Sequence, residues 1–180
     1  MTRKDPADDG YTLGQGRVVS VHRRATPSDA TIAKPAVEHI EIGPWGVQGD
    51  YHAGRWTVHG SGKKRPNHRM VTIVSAELIA WIARQIGIQL RPGDLGENIH
   101  VVGLGDLTRM RPDDRLVFAS GVVLRITGQN QPCRKLDGYH PALKTLLRNR
   151  RGVLAVVERT GRIRPGMSVL WQRGRGQPDG

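Results

Sequence analysis

The chain has one cysteine, Cys133, in the run Gln131-Pro132-Cys133-Arg134-Lys135-Leu136. A lone cysteine is usually a small buried hydrophobe. This one follows a proline and precedes two cations, which favour a thiolate, the form that acts as nucleophile or soft-metal ligand. Two further patterns spend glycine and proline on placing polar groups. In Gly46-Val-Gln-Gly49-Asp50-Tyr51-His52-Ala-Gly54, three glycines in nine residues imply a tight turn that brings Asp50 and His52 to a shared space. In Pro92-Gly-Asp-Leu-Gly-Glu97-Asn98-Ile99, a turn feeds a strand with Glu97 and Asn98 at its mouth. Each pattern alone could be plain turn chemistry.

Other chemistries find no support. The sequence has no Walker A loop, no G-x-G-x-x-G after a strand, no H-E-x-x-H and no G-x-S-x-G elbow. His52, His59 and His68 could converge on a metal, but their spacing matches no zinc-ligand pattern. A single cysteine excludes a disulfide framework and an iron–sulfur cluster held by this chain alone.

These turns must be positioned by a small domain of 180 residues, 37% hydrophobic and 24% charged, with a net charge of +12. Strands are expected over Gly16–Arg23, Ala36–Ile42, Arg69–Val74, Asn98–Val102, Arg115–Ala119, Val122–Thr127, Gly152–Glu158 and Met167–Trp171. Ser120-Gly121 reads as a two-residue hairpin turn. One helix is expected over Ala76–Ile86, capped by Ser75 and closed by Gly87, and a second over Pro141–Arg150. Trp56–His68 has no periodicity and reads as a mobile basic loop. Many short strands with two helices predict a mainly β fold, a closed or nearly closed barrel. The domain is expected over 11–173, with polar tails at 1–10 and 174–180.

No apolar run approaches the roughly 20 residues of a membrane span, and the acidic, polar start lacks a secretion signal, so a cytoplasmic protein with no membrane association is expected. The positive charge points to anionic partners. From Gly138 to Arg173 the basic residues include Lys144, Arg148, Arg150, Arg151, Arg159, Arg162 and Arg164, against one acid, Glu158. A solvated face, a site for a phosphorylated small molecule and nucleic acid are all open. Nucleic acid is not favoured, because aromatic residues do not interleave with the charges.

Taken in order, GVQGDYHAG, a strand and helix, RPGDLGENI, QPCRKL, a glycine-started strand and RPGMSVLW resemble the MOSC domain, the C-terminal domain of molybdenum-cofactor sulfurases that also occurs as stand-alone bacterial proteins. The resemblance covers Gly14 to Trp171. It implies a β-barrel with a few short helices and association with the molybdenum cofactor, a phosphate-bearing pterin with a dithiolene-bound metal. Cys133 matches the family cysteine that binds molybdenum or carries sulfur. The resemblance places Asn98 near the site with Glu97, matches Asp50 and His52 to the Gly-Asp-x-His turn, and assigns Arg134 and Lys135 to the basic positions after the cysteine. Tyr51 stands where a basic residue is common, Met167 replaces a frequent acid, and the basic insertion at Lys63–Arg65 is outside the pattern.

The implied activity is reduction of N-hydroxylated compounds at a Cys133-ligated molybdenum, with a small-molecule substrate. No flavin, haem or iron–sulfur motif is present, so electrons are expected from a flavin or iron–sulfur partner protein. The alternative is a carrier in which Cys133 holds sulfur or cofactor, loaded by a desulfurase; pyridoxal phosphate is not expected in this chain.

Overall fold

The computed structural model describes residues 11–58 and 62–174. The expected tail at 1–10 lies outside the described residues, as does the tail at 174–180 beyond Gly174, whose N–H donates to Asp114 Oδ1 at 3.2 Å. In chain order the elements are β1 (Thr12–His22), β2 (Ala36–Val37), β3 (Ile40–Gly43), β4 (Gly46–Val47), β5 (Trp56–Val58), β6 (Lys64–Pro66), β7 (Val71–Ser75), α1 (Ala76–Ile86) and β8 (Ile99–Val102). There follow β9 (Arg115–Phe118), β10 (Val123–Gln129), α2 (Leu143–Leu146), β11 (Val153–Arg159), β12 (Gly161–Ile163) and β13 (Ser168–Gln172). A 3₁₀ turn spans Arg134–Gly138, just after Cys133.

Seven strands close a barrel in the order β13-β9-β10-β11-β7-β8-β1, with β1 pairing back onto β13 and β2 added at the edge. The long first strand makes closure possible. Thr12 to Arg17 pair with β13, and Arg17 to Val21 pair with β8, with an irregularity between Val18 and Ser20 that bends the strand from one neighbour to the other. The barrel interior is filled by residues such as Val21, Ile73, Ile99, Phe118, Leu124 and Ile126.

The β7–β8 pair is parallel and needs a crossover, which α1 supplies. Ser75 Oγ accepts the Leu78 N–H at 3.2 Å, and Gly87 ends the helix in the left-handed conformation, as expected. Leu78 and Ile82 pack with Val74, Leu90, Leu95, Leu136 and Leu143 into a second core outside the barrel. Strand β7 is therefore buried on both faces, which explains why Val71–Ser75 shows no polar alternation. The 3₁₀ turn after Cys133 is anchored in this second core through Leu136.

Four local expectations change. The expected strand Ala36–Ile42 is split into β2 and β3, which join different sheets. The hairpin between β9 and β10 has a three-residue loop rather than two: Phe118 N–H donates to the Val122 carbonyl at 2.9 Å, and Gly121 takes φ 87°. Trp56–His68 contains a β-hairpin, β5 paired with β6, whose residues lie open to water and so carry no burial pattern. The second helix is only Leu143–Leu146. Asn149 adopts φ 57° and its side-chain Oδ1 accepts from Gln131 Nε2 at 2.6 Å, which stops the helix and turns Arg151 inward.

Candidate functional site

A cleft of about 400 Å³ opens where the turn carrying Asp50 and His52, the loop before β8 and the segment after β10 meet. Its walls include Tyr51, His52, Gly96, Cys133, Arg134 and Lys135, together with Arg69 and Arg151; Pro27 and Ile32 give an apolar side. Four of these side chains are cations and none is a carboxylate. Cys133 is half-buried at the N-terminal edge of the 3₁₀ turn.

The expected residues separate into two layers. His52, Cys133, Arg134 and Lys135 line the cleft. Asp50, Glu97 and Asn98 are buried beneath it and committed to other protein groups. Asp50 Oδ1 accepts from Lys34 Nζ at 2.9 Å and from the His52 N–H at 3.0 Å. Its Oδ2 accepts from Asn98 Nδ2 at 3.0 Å and from the Arg24 N–H at 3.2 Å. Asn98 also accepts at Oδ1 from the Thr72 hydroxyl and N–H, pinning the cleft floor to β7. Glu97 Oε1 accepts from the Gly93 N–H at 2.7 Å and from His100 Nδ1 at 2.9 Å. Gly93 is required there: its φ is +94°, and a Cβ would stand 2.5 Å from the Lys34 carbonyl.

Burial pushes the Asp50 carboxyl upward in pKa, but the hydrogen bonds from His52 and the charge of Lys34 outweigh it and hold it well below the usual carboxylate range. Glu97 is lowered in the same way, burial being overcome by His100 and the Gly93 amide. Burial pulls Lys34 down, opposed by Asp50. Burial also lowers His52, with Asp50 pulling the other way and Lys34 adding to the lowering. Lys34 Nζ lies 3.3 Å from His52 Nδ1. The same Nδ1 lies 3.6 Å from Asp50 Oδ1, so the imidazole meets both members of the buried Lys34–Asp50 pair through one ring nitrogen.

Lys135 Nζ donates to the Ser28 carbonyl, fastening the 24–35 segment against the cleft. Arg151 is buried at 5% exposure, and its Nη1 and Nη2 donate to the carbonyls of Gln131 (2.9 Å) and Leu95 (2.6 Å). Its Nε has no partner, and no carboxylate within ion-pair distance balances the charge among the described residues. Burial lowers its pKa, and Cys133 opposes that shift. Arg151, Arg69 and Lys34 are the residues sequence reasoning missed. Arg151 was visible only as one of a basic run. Lys34 had a faint signal, a solitary lysine within the apolar stretch Thr31–Val37.

The basic run from Lys144 to Arg164 does not form one face. Arg150 stacks over Trp81 at 4.3 Å, Arg151 turns into the cleft, and Arg162 pairs with Glu41. Among the described residues no three His, Cys, Asp or Glu side chains converge as a metal-binding set; His59 lies outside them.

The chain is a closed seven-strand barrel with its cysteine beside a cationic cleft, and residues 49–170 match the family model of the MOSC domain. The chain belongs to the MOSC domain family, which is associated with the molybdenum cofactor. It is 32% identical over 152 residues to YuaD of Bacillus subtilis (strain 168), covering 74% of this chain and 79% of that relative, whose name places it provisionally among metal–sulfur cluster biosynthesis proteins. The crystal structure of Bacillus subtilis YuaD superposes with a TM-score of 0.81 at 26% identity, covering 89% of this chain and 97% of that one. YiiM from Escherichia coli shares the fold at a TM-score of 0.63 and 17% identity, covering 91% of this chain and 72% of that one.

Proposed function

We propose that this protein is a cytoplasmic reductase of N-hydroxylated small molecules that uses the molybdenum cofactor. The observation that carries the reading is Arg151, a buried guanidinium with no carboxylate at ion-pair distance among the described residues, in the same cleft as the only cysteine. A buried charge is costly unless paired. An anionic group such as the phosphate of a pterin would complete it, with Arg69 and Arg134 at the rim. Cys133 would supply the soft thiolate ligand to the metal. The bound cofactor supplies a two-electron centre that accepts an oxygen atom.

The reaction balances as R–NHOH plus two electrons and two protons giving R–NH2 and water. The electrons come from a flavin or iron–sulfur partner. The chain's own residues supply position. His52 presents its imidazole to a substrate oxygen, Asp50 and Lys34 hold the ring in place at its Nδ1, and Ile32 with Pro27 shields one wall from water.

The test is expression in a host that makes the cofactor, followed by molybdenum and pterin analysis and turnover of a hydroxylamino base with a reducing partner. Arg151→Gln should lose pterin, and wild-type protein should carry metal and turn over. Molybdenum-free protein from such a host would refute the reading. The name of the Bacillus subtilis relative favours a second reading, in which Cys133 in its open cleft carries sulfur as a persulfide. That reading requires sulfur loading by a desulfurase with no turnover.

A further inference from the structure

Beside the cleft stands a surface that neither the barrel nor the cationic pocket uses. Trp45, in the turn between β3 and β4, is 45% exposed; Trp56 and Val58 on β5 are 50% and 65% exposed. Arg55 lies between the two indoles, with its guanidinium carbon 5.3 Å from the Trp45 ring centre and 5.2 Å from that of Trp56. The opposite strand presents Lys64 and Arg65 to water, and Lys63 just before it is exposed too. No aspartate or glutamate occurs between Asp50 and Glu77.

The hairpin is not a loose appendage. One leg grows from Tyr51 and His52 and the other runs into Arg69, all three on the cleft wall. Buried Asn67 locks the legs together, its Nδ2 donating to the carbonyls of His52 and Gly54 at 2.9 Å each. The Gly54 N–H in turn donates to the Trp45 carbonyl at 2.9 Å. A partner seated on this patch would sit at the mouth of the cleft that holds Cys133.

We infer that the Trp45–Arg55–Trp56 stack and the cations Lys63, Lys64 and Arg65 form the docking surface for an acidic electron-donor protein, an inference that rests on the reductase reading. Tryptophan and arginine at the centre with charge at the rim is the composition of a protein–protein hot spot. Charge of one sign without interruption selects an acidic face and speeds encounter. Nucleic acid is the weaker fit, because Arg55 covers one face of each indole where a base would stack. The Lys144–Arg164 run is the weaker fit, since Arg150, Arg151 and Arg162 are drawn into stack, pocket and ion pair.

A photo-crosslinking amino acid at position 58 of the full chain, beside the intact stack and in its native cells, tests the surface, with the same residue at exposed Val19 as control. The expected adduct is a flavin or iron–sulfur protein of acidic isoelectric point. Its yield should fall at least tenfold in a Lys63→Glu, Lys64→Glu, Arg65→Glu variant whose melting temperature is unchanged. No adduct above the Val19 control overturns the inference. So does an adduct with nucleic acid, a second copy of the chain or a protein lacking a redox group. Molybdenum is measured on the same wild-type protein: metal present with no adduct overturns only the surface, whereas metal absent overturns the reductase reading.

Discussion

Asp50→Asn separates an anchor from a surface feature, because both oxygens of Asp50 face donors only. Oδ1 receives Lys34 Nζ and the His52 N–H; Oδ2 receives Asn98 Nδ2 and the Arg24 N–H. An asparagine must turn its NH2 toward one of these pairs, so no rotamer satisfies the site. Both partners of the Lys34–Asp50 pair have fully buried side chains. Breaking such a pair by neutralising one member costs about 3–5 kcal/mol. Lys34→Met should cost less, since Asp50 keeps three other donors while Lys34 in the Asp50→Asn protein keeps little beyond His52. Urea unfolding at pH 7 with unchanged m-values reads both numbers. There is also a pH signature. Without Asp50, Lys34 is depressed further in the folded state while the unfolded chain holds its proton up to the ordinary lysine value. The unfolded state then binds more protons, and the stability deficit should shrink as pH rises from 7 toward 10. A deficit under about 0.5 kcal/mol, or one that does not change with pH, would refute the argument.

Cys133→Ser alters volume little, so the variant should fold and lose at least 99% of any N-hydroxyl reduction together with bound molybdenum; normal metal and turnover would make Cys133 a packing residue. Ser75→Ala should lower stability by about 1 kcal/mol, measured by denaturant unfolding, with cofactor content unchanged, because the cap serves α1 and not the cleft. Wild-type stability should fall as pH drops through the ordinary histidine range. His22 and His52 are both lowered in the folded state, chiefly by burial, so the unfolded chain takes up protons first. A second loss should follow below the usual carboxylate range, as pH falls through the depressed folded values of Asp50 and Glu97. Thermal melts from pH 8 to about 2 check both steps, and rising stability on acidification would contradict the sign.

What was legible in the sequence was whatever has a local cause. Ser75 and Gly87 bound α1 because caps act within one turn of backbone, and Gly121 marked its hairpin because a left-handed residue is needed there, although the loop length was one residue out. The Gly-Asp and Glu-Asn turns were legible as positioning devices for the same reason. Their layer was not. Whether a carboxylate lines a cleft or sits beneath it depends on which distant chain covers it, and Asp50 is covered by Lys34 and Asn98, 16 and 48 residues away. Arg151 shows the limit most clearly. Its neighbour Arg150 has the same local sequence character, yet one lies over Trp81 and the other turns into the cleft, because Asn149 reverses the backbone between helix and strand. Two left-handed residues, Asn149 and Gly152, bracket the pair and set which of two adjacent cations becomes buried, and Gln131, two residues before Cys133, holds Asn149 in place. The segment that carries the cysteine therefore also sets the position of the buried charge beside it, so substitution at Gln131 should disturb Arg151 before it disturbs the barrel.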